Sequence, residues 1–84
     1  MNYQIEFKPR AVKDLKDLPK SHYRRVLAKI EALQQNLAGD VKKLTNFTPE
    51  YRLRVGDYRV LYEIEDQVRV VRVMRVRHRR DAYR

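Results

Sequence analysis

Arginine is the residue type whose number and spacing in this 84-residue chain most suggest chemistry. The stretch from residue 51 reads YRLRVGDYRVLYEI, and the chain closes with VRVVRVMRVRHRRDAYR. Ten of the 13 arginines fall in residues 52–84, where only five acidic residues are available to pair with them. Because the arginine guanidinium is a planar fork that binds phosphate bidentately and stacks on bases, these residues predict a phosphate-binding surface.

The arginines alternate with apolar residues, so a β-strand would place them on one face. If helices cover the opposite face, the arginines would line an open basic cleft that attracts a phosphate backbone. The other interpretation is that they pair with acidic residues across the strands. The arginines expected on this face are Arg52, Arg54, Arg59, Arg75, Arg77 and Arg79.

Two further side chains near the end of the chain could take part in chemistry. Tyr83 follows Arg79 by four residues and could stack on a base, or it could pack down and latch the tail. His78 lies between two arginines and could accept a proton, although a lone exposed histidine is often incidental. His22, at a helix start, is expected on the surface. There is no Gly-rich phosphate loop, HExxH, carboxylate cluster or metal-ligand spacing, so we expect no cofactor and no metal.

Apolar spacing in the first half predicts one strand and two helices. Tyr3, Ile5 and Phe7 alternate with polar residues, and Pro9 suits the first turn of a helix that reaches Leu18.

The second helix should run from Ser21, as its N-cap, to about Leu37, with Gly39 as a left-handed C-cap. The two helices should then form a hairpin on one side of a sheet. Residues 40–50 have no sustained period and predict a linking segment, anchored by Leu44 and Phe47.

The second half predicts three strands joined by tight turns, at Tyr51–Val55, Tyr58–Glu65 and Val68–Val76. The phase of the valines slips at Val70-Val71, which indicates either burial on both faces or a bulge. The tail HRRDAYR is too short for more than one helical turn. We therefore predict a small single α+β domain over residues 1–84, ordered β-α-α-β-β-β. An antiparallel meander would carry the helical hairpin on one face and the basic cleft on the other.

Composition narrows the class of partner. The formal net charge is +9 and cysteine is absent, so disulfides and thiolate metal sites are excluded. No apolar run approaches the roughly 20 residues that span a bilayer, and the first residues lack a signal-peptide core, so we expect a cytoplasmic protein without a membrane partner. A polyanion is the expected partner; a basic surface kept only for solubility is the alternative.

Three motifs together, FKPRAVKDLKDLP, YRLRVGDYRVLYEI and VRVMRVRHRRDAYR, closely resemble the RelE family of the RelE/ParE toxin superfamily over nearly the whole chain. The resemblance implies a type II toxin that cuts mRNA in the ribosomal A site. By position, Arg59 and Arg79 match the arginines that stabilise the scissile phosphate. Tyr83 matches the tail tyrosine that stacks on or orients the cleaved nucleotide, and His78 falls where some relatives have histidine.

The resemblance also implies partners and a mechanism. The expected partners are mRNA in the ribosomal A site and an acidic RelB-like antitoxin, in a toxin–antitoxin hetero-oligomer. The RNA 2′-OH would act as nucleophile without a metal. Arginines replace the lysine-rich stretch of well-known RelE proteins, and Glu50 falls near one of those lysine positions. The residues expected to bind RNA are Arg52, Arg54, Arg75, Arg77, Lys42 and Lys43.

Two other functions remain open from the sequence. A ParE-like relative would act on DNA gyrase, although such relatives generally lack this arginine and tyrosine tail. A non-catalytic basic RNA-binding module would keep the charge and lose the cleavage.

Overall fold

Residues 2–83, which a computed structural model describes, form two helices and one five-stranded sheet. The elements in chain order are β1 (Gln4–Phe7), α1 (Pro9–Lys16), α2 (Lys20–Ala32), β2 (Val41–Lys43), β3 (Tyr51–Val55), β4 (Tyr58–Glu65) and β5 (Val70–His78). Across the sheet the strand order is β1-β5-β4-β3-β2. The predicted fold class, a small α+β domain with a helical hairpin and a β3-β4-β5 meander, is confirmed.

The sheet differs from the prediction in two ways. Strand β1 pairs in parallel with β5, so the sheet is mixed rather than wholly antiparallel. The segment predicted as a link contains β2, which pairs antiparallel with the outer edge of β3. All three β2 side chains are exposed, so no apolar alternation marks the strand in the sequence. Backbone hydrogen bonds frame it instead, from Arg54 N to Asp40 O at 2.9 Å and from Leu44 N to Glu50 O at 2.7 Å.

Both predicted caps of the second helix were wrong. Helix α2 begins at Lys20 behind Pro19, with no side-chain cap, and Ser21 lies inside the helix. The helix ends at Ala32, five residues before the predicted end, because the backbone that follows bonds to the start of the chain. Tyr3 N donates to Gln34 O at 2.9 Å. Asn36 and Leu37 take the left-handed conformation after the helix, and Gly39, also at a positive φ of 133°, lies too far beyond Ala32 to cap it.

Strand β5 runs from Val70 to His78, two residues later than predicted, and contains a bulge. Arg75 lies opposite Leu61 and Val73 opposite Tyr62, which leaves Met74 between them without a partner. The irregularity is therefore at Met74 rather than at the predicted Val70-Val71. It changes the phase of the strand, because one extra residue shifts the alternation between the two faces.

The hydrophobic core lies between the helices and one face of the sheet. Burying a side chain the size of valine or leucine stabilises a fold by about 1.5–3 kcal/mol, so this layer fixes the orientation of β3, β4 and β5. The core includes Ala11 and Leu15 from α1, Val26 and Ile30 from α2, and Leu53, Val55, Val60, Tyr62, Val71, Val73 and Val76 from the sheet, together with Tyr3 and Leu33. The residues that alternate with them on β3, β4 and β5 face the other way.

Candidate nucleic-acid interface

Three arginines form a row across the face of the sheet that points away from the helices, which we call the arginine row. Arg54 of β3 lies opposite Arg59 of β4, and Arg59 lies opposite Arg77 of β5. Like charges placed directly opposite one another destabilise a sheet. Among residues 2–83, no carboxylate lies within ion-pair distance of any of the three. The row is therefore a concentration of positive charge that the described part of the molecule does not neutralise.

The first groove on this face is basic and holds about 410 Å³. Arg52 is fixed in its wall, since its Nη1 donates to the backbone oxygen of Asp40 at 3.0 Å and lies 3.3 Å from the Asp40 carboxylate. The groove is lined by Lys42, Arg52, Arg54, Arg59 and Tyr83, with Leu44, Thr45 and Phe47. Five of the ten residues selected from the sequence thus share one groove.

Arg59 is held by the tight turn between β3 and β4. Its Nη1 donates to the backbone oxygens of Gly56 at 2.9 Å and of Tyr58 at 3.0 Å. Gly56 has a left-handed φ of 56°, and the Arg25 side chain lies against it where a Cβ would stand. The turn therefore demands glycine. It orients the Arg59 guanidinium while leaving its other N–H groups able to donate to a phosphate.

Arg79 lies beyond the end of β5, beside the same turn. Its backbone N–H donates to the backbone oxygen of Asp57 at 2.7 Å, which ties the tail to the turn. Its Nε is 3.8 Å from the Asp57 carboxylate, and both side chains are about two-thirds exposed, at 63% and 65%. An ion pair so exposed contributes little, so the Arg79 guanidinium can leave it for a ligand. Arg79 does not line the first groove.

Tyr83 stands at the edge of the first groove against Phe47, with the two rings edge to face at 5.5 Å. Its neighbour Ala82 is buried, whereas Tyr83 remains 47% exposed. The tail is thus packed down through Ala82, and much of the Tyr83 ring still faces solvent. The geometry accommodates both interpretations of Tyr83, the latch and the stacking platform.

His78 lies on the other side of the sheet. It is the last residue of β5, opposite Tyr58, and the two rings meet edge to face at 5.8 Å. The Nδ1 of His78 accepts a hydrogen bond from Arg80 N at 3.3 Å, and Tyr58 also contacts His22, with 2.9 Å between the hydroxyl and Nδ1. The bulge puts His78 in the phase of the core residues, apart from the side chain of Arg59.

Three other residues selected from the sequence also lie outside the first groove. Arg75 is held by Asp14 of α1, with its Nε and Nη2 at 2.8 and 3.2 Å from the carboxylate, and this hydrogen bonding raises the pKa of Arg75. Lys43 lies over the Tyr51 ring, with 6.0 Å from Nζ to the ring centre, and does not line the groove. Arg75 and Arg77 both line a second groove, which Phe47 also borders. The alternating arginines therefore line two neighbouring grooves, and among them Arg75 is paired with a carboxylate.

Sequence reasoning missed two residues that shape this interface. Phe47 was expected to anchor the linking segment to the core, yet its ring contacts Tyr83 and borders both grooves. Asp57 falls in the tight turn predicted between Tyr51–Val55 and Tyr58–Glu65, with no sign of a further role, yet it links that turn to the tail that carries Arg79. A lone aromatic in a polar segment was the available signal for Phe47. No helix among residues 2–83 is long and apolar enough to cross a membrane.

Comparison with known proteins supplies the class. The family model for the ParE toxin of the type II toxin-antitoxin system parDE matches residues 5–83. A Methanocaldococcus jannaschii protein that carries the toxin name RelE1 is 33% identical over 88 residues, spanning 100% of this chain and 98% of the relative.

Solved structures of toxin–antitoxin complexes contain chains that are similar to this one in sequence and fold. The archaeal RelE–RelB complex of Pyrococcus horikoshii contains a chain that is 34% identical, with a TM-score of 0.77 and coverage of 98% of this chain and 100% of that one. The toxin–antitoxin complex RelBE2 of Mycobacterium tuberculosis gives 28% identity and a TM-score of 0.82, covering 93% of this chain and 99% of that one.

These matches define a class, the RelE/ParE toxins of type II toxin–antitoxin systems. The chain belongs to this family and within it to the RelE toxins, which confirms the resemblance found in the sequence.

Proposed function

We propose that this toxin is a ribosome-dependent endoribonuclease that cuts mRNA in the A site and so stops translation. The observation that carries the proposal is the unneutralised arginine row, in which Arg59 is held in place by backbone oxygens, with the half-exposed Tyr83 in the same groove. A row of like charges costs stability, and binding a phosphate backbone relieves that cost. The names of the relatives support the class of toxin, and the RNA substrate is our inference.

The proposed reaction uses the substrate's own hydroxyl. The RNA 2′-oxygen attacks the adjacent phosphorus, the bond from phosphorus to the 5′-oxygen breaks, and the products are a 2′,3′-cyclic phosphate and a 5′-OH. Arg59, fixed by two backbone oxygens, would stabilise the charge that develops on the phosphoryl oxygens, and Arg79 would join it by leaving Asp57. Tyr83 would stack on the base next to the scissile bond and so align the attack.

Proton transfer is assigned here to Tyr83 or to groups of the ribosome. An arginine side chain does not lose its proton in proteins, so it cannot act as the general base. His78 was the other candidate from the sequence, but its ring contacts Tyr58 rather than the first groove. A toxin with so few acid–base groups at its phosphate site depends on the ribosome for geometry, and we expect free RNA to be cut poorly.

The proposed partner is an acidic, RelB-like antitoxin in a toxin–antitoxin hetero-oligomer. Both structural relatives named above were solved as complexes of toxin with antitoxin. A net charge of +9 on 84 residues complements an acidic peptide. Carboxylates of the antitoxin that cover the arginine row would prevent RNA from binding there, and they would also stabilise the sheet by neutralising the row.

The deciding experiment is primer extension on an mRNA in a purified translation system. Wild type should produce cuts inside A-site codons that require ribosomes, and Arg59→Ala and Arg79→Ala should lose them. Arg24→Ala is the matched control, since it removes one exposed arginine from α2 on the far side of the sheet. Translation that continues with uncut mRNA in the presence of wild type would reject the proposal.

A second candidate, a gyrase-directed toxin, is favoured by the ParE name of the matching family model. A DNA gyrase supercoiling assay distinguishes it. Inhibition of supercoiling by wild type, with mRNA intact on ribosomes, would establish that function instead.

A further inference from the structure

A second groove, of about 470 Å³, lies on the same face of the sheet and is not used by the chemistry proposed above. Its floor is apolar: Leu61 is 3% exposed, Ala82 is 1% exposed, and Met74 lies beside them. Phe47 borders this groove and the first one, so the two are neighbours. Met74 is the unpaired residue of the β5 bulge.

The rim of the second groove is positively charged. Besides Arg75, which is paired with Asp14, the lining contains three cations: Lys8 and Arg10, on either side of the first residue of α1, and Arg77 of the arginine row. No aspartate or glutamate lines the groove. Among residues 2–83, none of these three cations lies within ion-pair distance of a carboxylate. A fitting ligand therefore has a flat or apolar part for the floor and negative charge for the rim.

We propose that the second groove binds one nucleobase of single-stranded RNA, next to the nucleotide at the first groove, with the intervening phosphate on Arg77. This inference rests on the proposed function. The arginine row leads from one groove to the other, since Arg54 and Arg59 line the first and Arg77 lines the second. Arg59 and Arg77 lie opposite each other on neighbouring strands, about 4.8 Å apart, so a backbone that follows the row passes from the first groove to the second within one or two nucleotides.

The lining predicts how the groove reads a base. It contains no asparagine, glutamine, aspartate or glutamate, the side chains that bind the edges of adenine and cytosine, whereas Arg10 or Arg77 has the paired donors that bind O6 and N7 of guanine. Contact between a ring and apolar or aromatic side chains tolerates any base, because every base has a π face. The groove should therefore distinguish a base from no base, and guanine is the one base that its arginines would favour over the others.

The test uses short 2′-O-methyl RNAs, which lack the nucleophilic hydroxyl, with a single abasic site moved along the sequence. Affinity for wild type is measured by fluorescence anisotropy at low ionic strength. We expect loss of the base at one position to weaken binding at least about fivefold because of the second groove. Met74→Gln should abolish that sensitivity and keep the sensitivity at the position that depends on Tyr83. Met74→Leu should retain both.

Two further variants keep the test decisive. Val12→Gln places the same amide on an exposed apolar position of α1 that lines neither groove, and it should behave as wild type. Thr48→Trp fills the second groove from an exposed loop residue, so it should reproduce Met74→Gln even if that variant folds poorly.

Several results would overturn the proposal. The first is that wild type has no measurable affinity for these RNAs. The second is an abasic profile that neither Met74→Gln nor Thr48→Trp changes. The third is that these variants lose affinity for an acidic antitoxin peptide while their RNA binding is unchanged. The last would assign the groove to the peptide. Cleavage of mRNA on ribosomes, measured with the same preparations, distinguishes failure of the base subsite from failure of the proposed function. Wild type that cuts mRNA without showing the abasic effect rejects the base subsite alone, whereas wild type that cuts nothing rejects the proposed function.

Discussion

At the scale of single residues, the arginines of the sheet fall into two kinds. Arg72 is paired at 3.0 and 2.7 Å with Glu6 and Glu65, and hydrogen bonds to these carboxylates raise the pKa of Arg72. Arg59 faces two other arginines and bonds only to backbone oxygens. The first kind links strands, whereas the second holds unbalanced charge at a stability cost.

The two kinds should respond oppositely to truncation. Arg59→Ala should reduce ribosome-dependent cleavage by about 10²–10³-fold, the effect of removing one donor to a transition-state oxyanion. Its thermal unfolding midpoint should equal or exceed that of wild type, because one like charge leaves the row.

Arg72→Ala is the matched control for that comparison. It should unfold at a lower temperature than wild type and cut normally per folded molecule, as judged by circular dichroism and primer extension. An Arg59→Ala protein that is clearly less stable than wild type would contradict the view that the row is strained.

At the scale of elements, the turn between β3 and β4 organises the candidate site. Gly56→Ala puts a Cβ at a left-handed φ where the Arg25 side chain lies, which should cost about 1–3 kcal/mol in the free energy of unfolding. The shifted turn should also misplace the Arg59 guanidinium. We therefore expect cleavage per folded molecule to fall well below wild type, measured at a temperature where both proteins are folded.

Gly39 offers a glycine control elsewhere in the chain. It too has a positive φ, of 133°, and an added Cβ would meet Leu53 Cδ1 at 2.8 Å. Gly39→Ala should lose stability but lose less cleavage per folded molecule than Gly56→Ala, because it reaches the first groove only through the contact of Asp40 with Arg52. Equal losses of cleavage in the two glycine variants would mean that the turn has no special role in orienting Arg59.

The elements also show what a sequence can predict. Alternation along one strand is local, so the shared face of Arg52, Arg54 and Arg59 followed from the residues themselves. Pairings between distant segments did not. Asp14 meets Arg75 across 61 positions of the chain, and the parallel docking of β1 on β5 has no local signal.

The face on which some side chains of β5 lie could not be predicted either, because it also depends on a feature without a local signal. One bulged residue reversed the phase of β5, and no local pattern placed that bulge at Met74. The side of the sheet on which His78 lies depends on it.

At the scale of the whole molecule, the buried tyrosine of the core predicts how stability depends on pH. Burial, reinforced by the neighbouring Tyr51, raises the pKa of Tyr62 from 10.0 to about 12. The unfolded chain therefore releases this proton first as the pH rises, so the free energy of unfolding falls between about pH 10 and pH 12. The loss should be at most about 3 kcal/mol, since each pKa unit corresponds to about 1.4 kcal/mol.

Tyr62→Phe is the control for this dependence. Denaturant unfolding of both proteins across that range should show a smaller decline for the variant, since other groups titrate in both. Parallel curves would show that Tyr62 ionises equally in the folded and unfolded chain.

Salt should act on the molecule in two directions. Screening weakens repulsion within the arginine row, so the unfolding temperature of the free toxin should rise with moderate NaCl. Affinity for RNA should fall over the same range, because phosphate contacts release counterions. Differential scanning fluorimetry and anisotropy on one sample series would measure both, and a toxin destabilised by salt would contradict the assigned strain.

The bulge in β5 determines which of its residues face the core, so the number of residues in the strand matters. Val71 and Val73 before Met74 face the core, and Val76 after it faces the core as well, although two residues lie between Val73 and Val76 where a regular strand has one. Without Met74, the side chains of Arg75 and Arg77 would turn toward the helices and the valine would turn away from them. We expect β5 to tolerate the gain or loss of residues in pairs better than singly, and a library of one- and two-residue deletions, selected for toxicity, would reveal it. In this strand, the one unpaired residue, Met74, keeps the valines on the apolar face of the sheet and the arginines on the charged face.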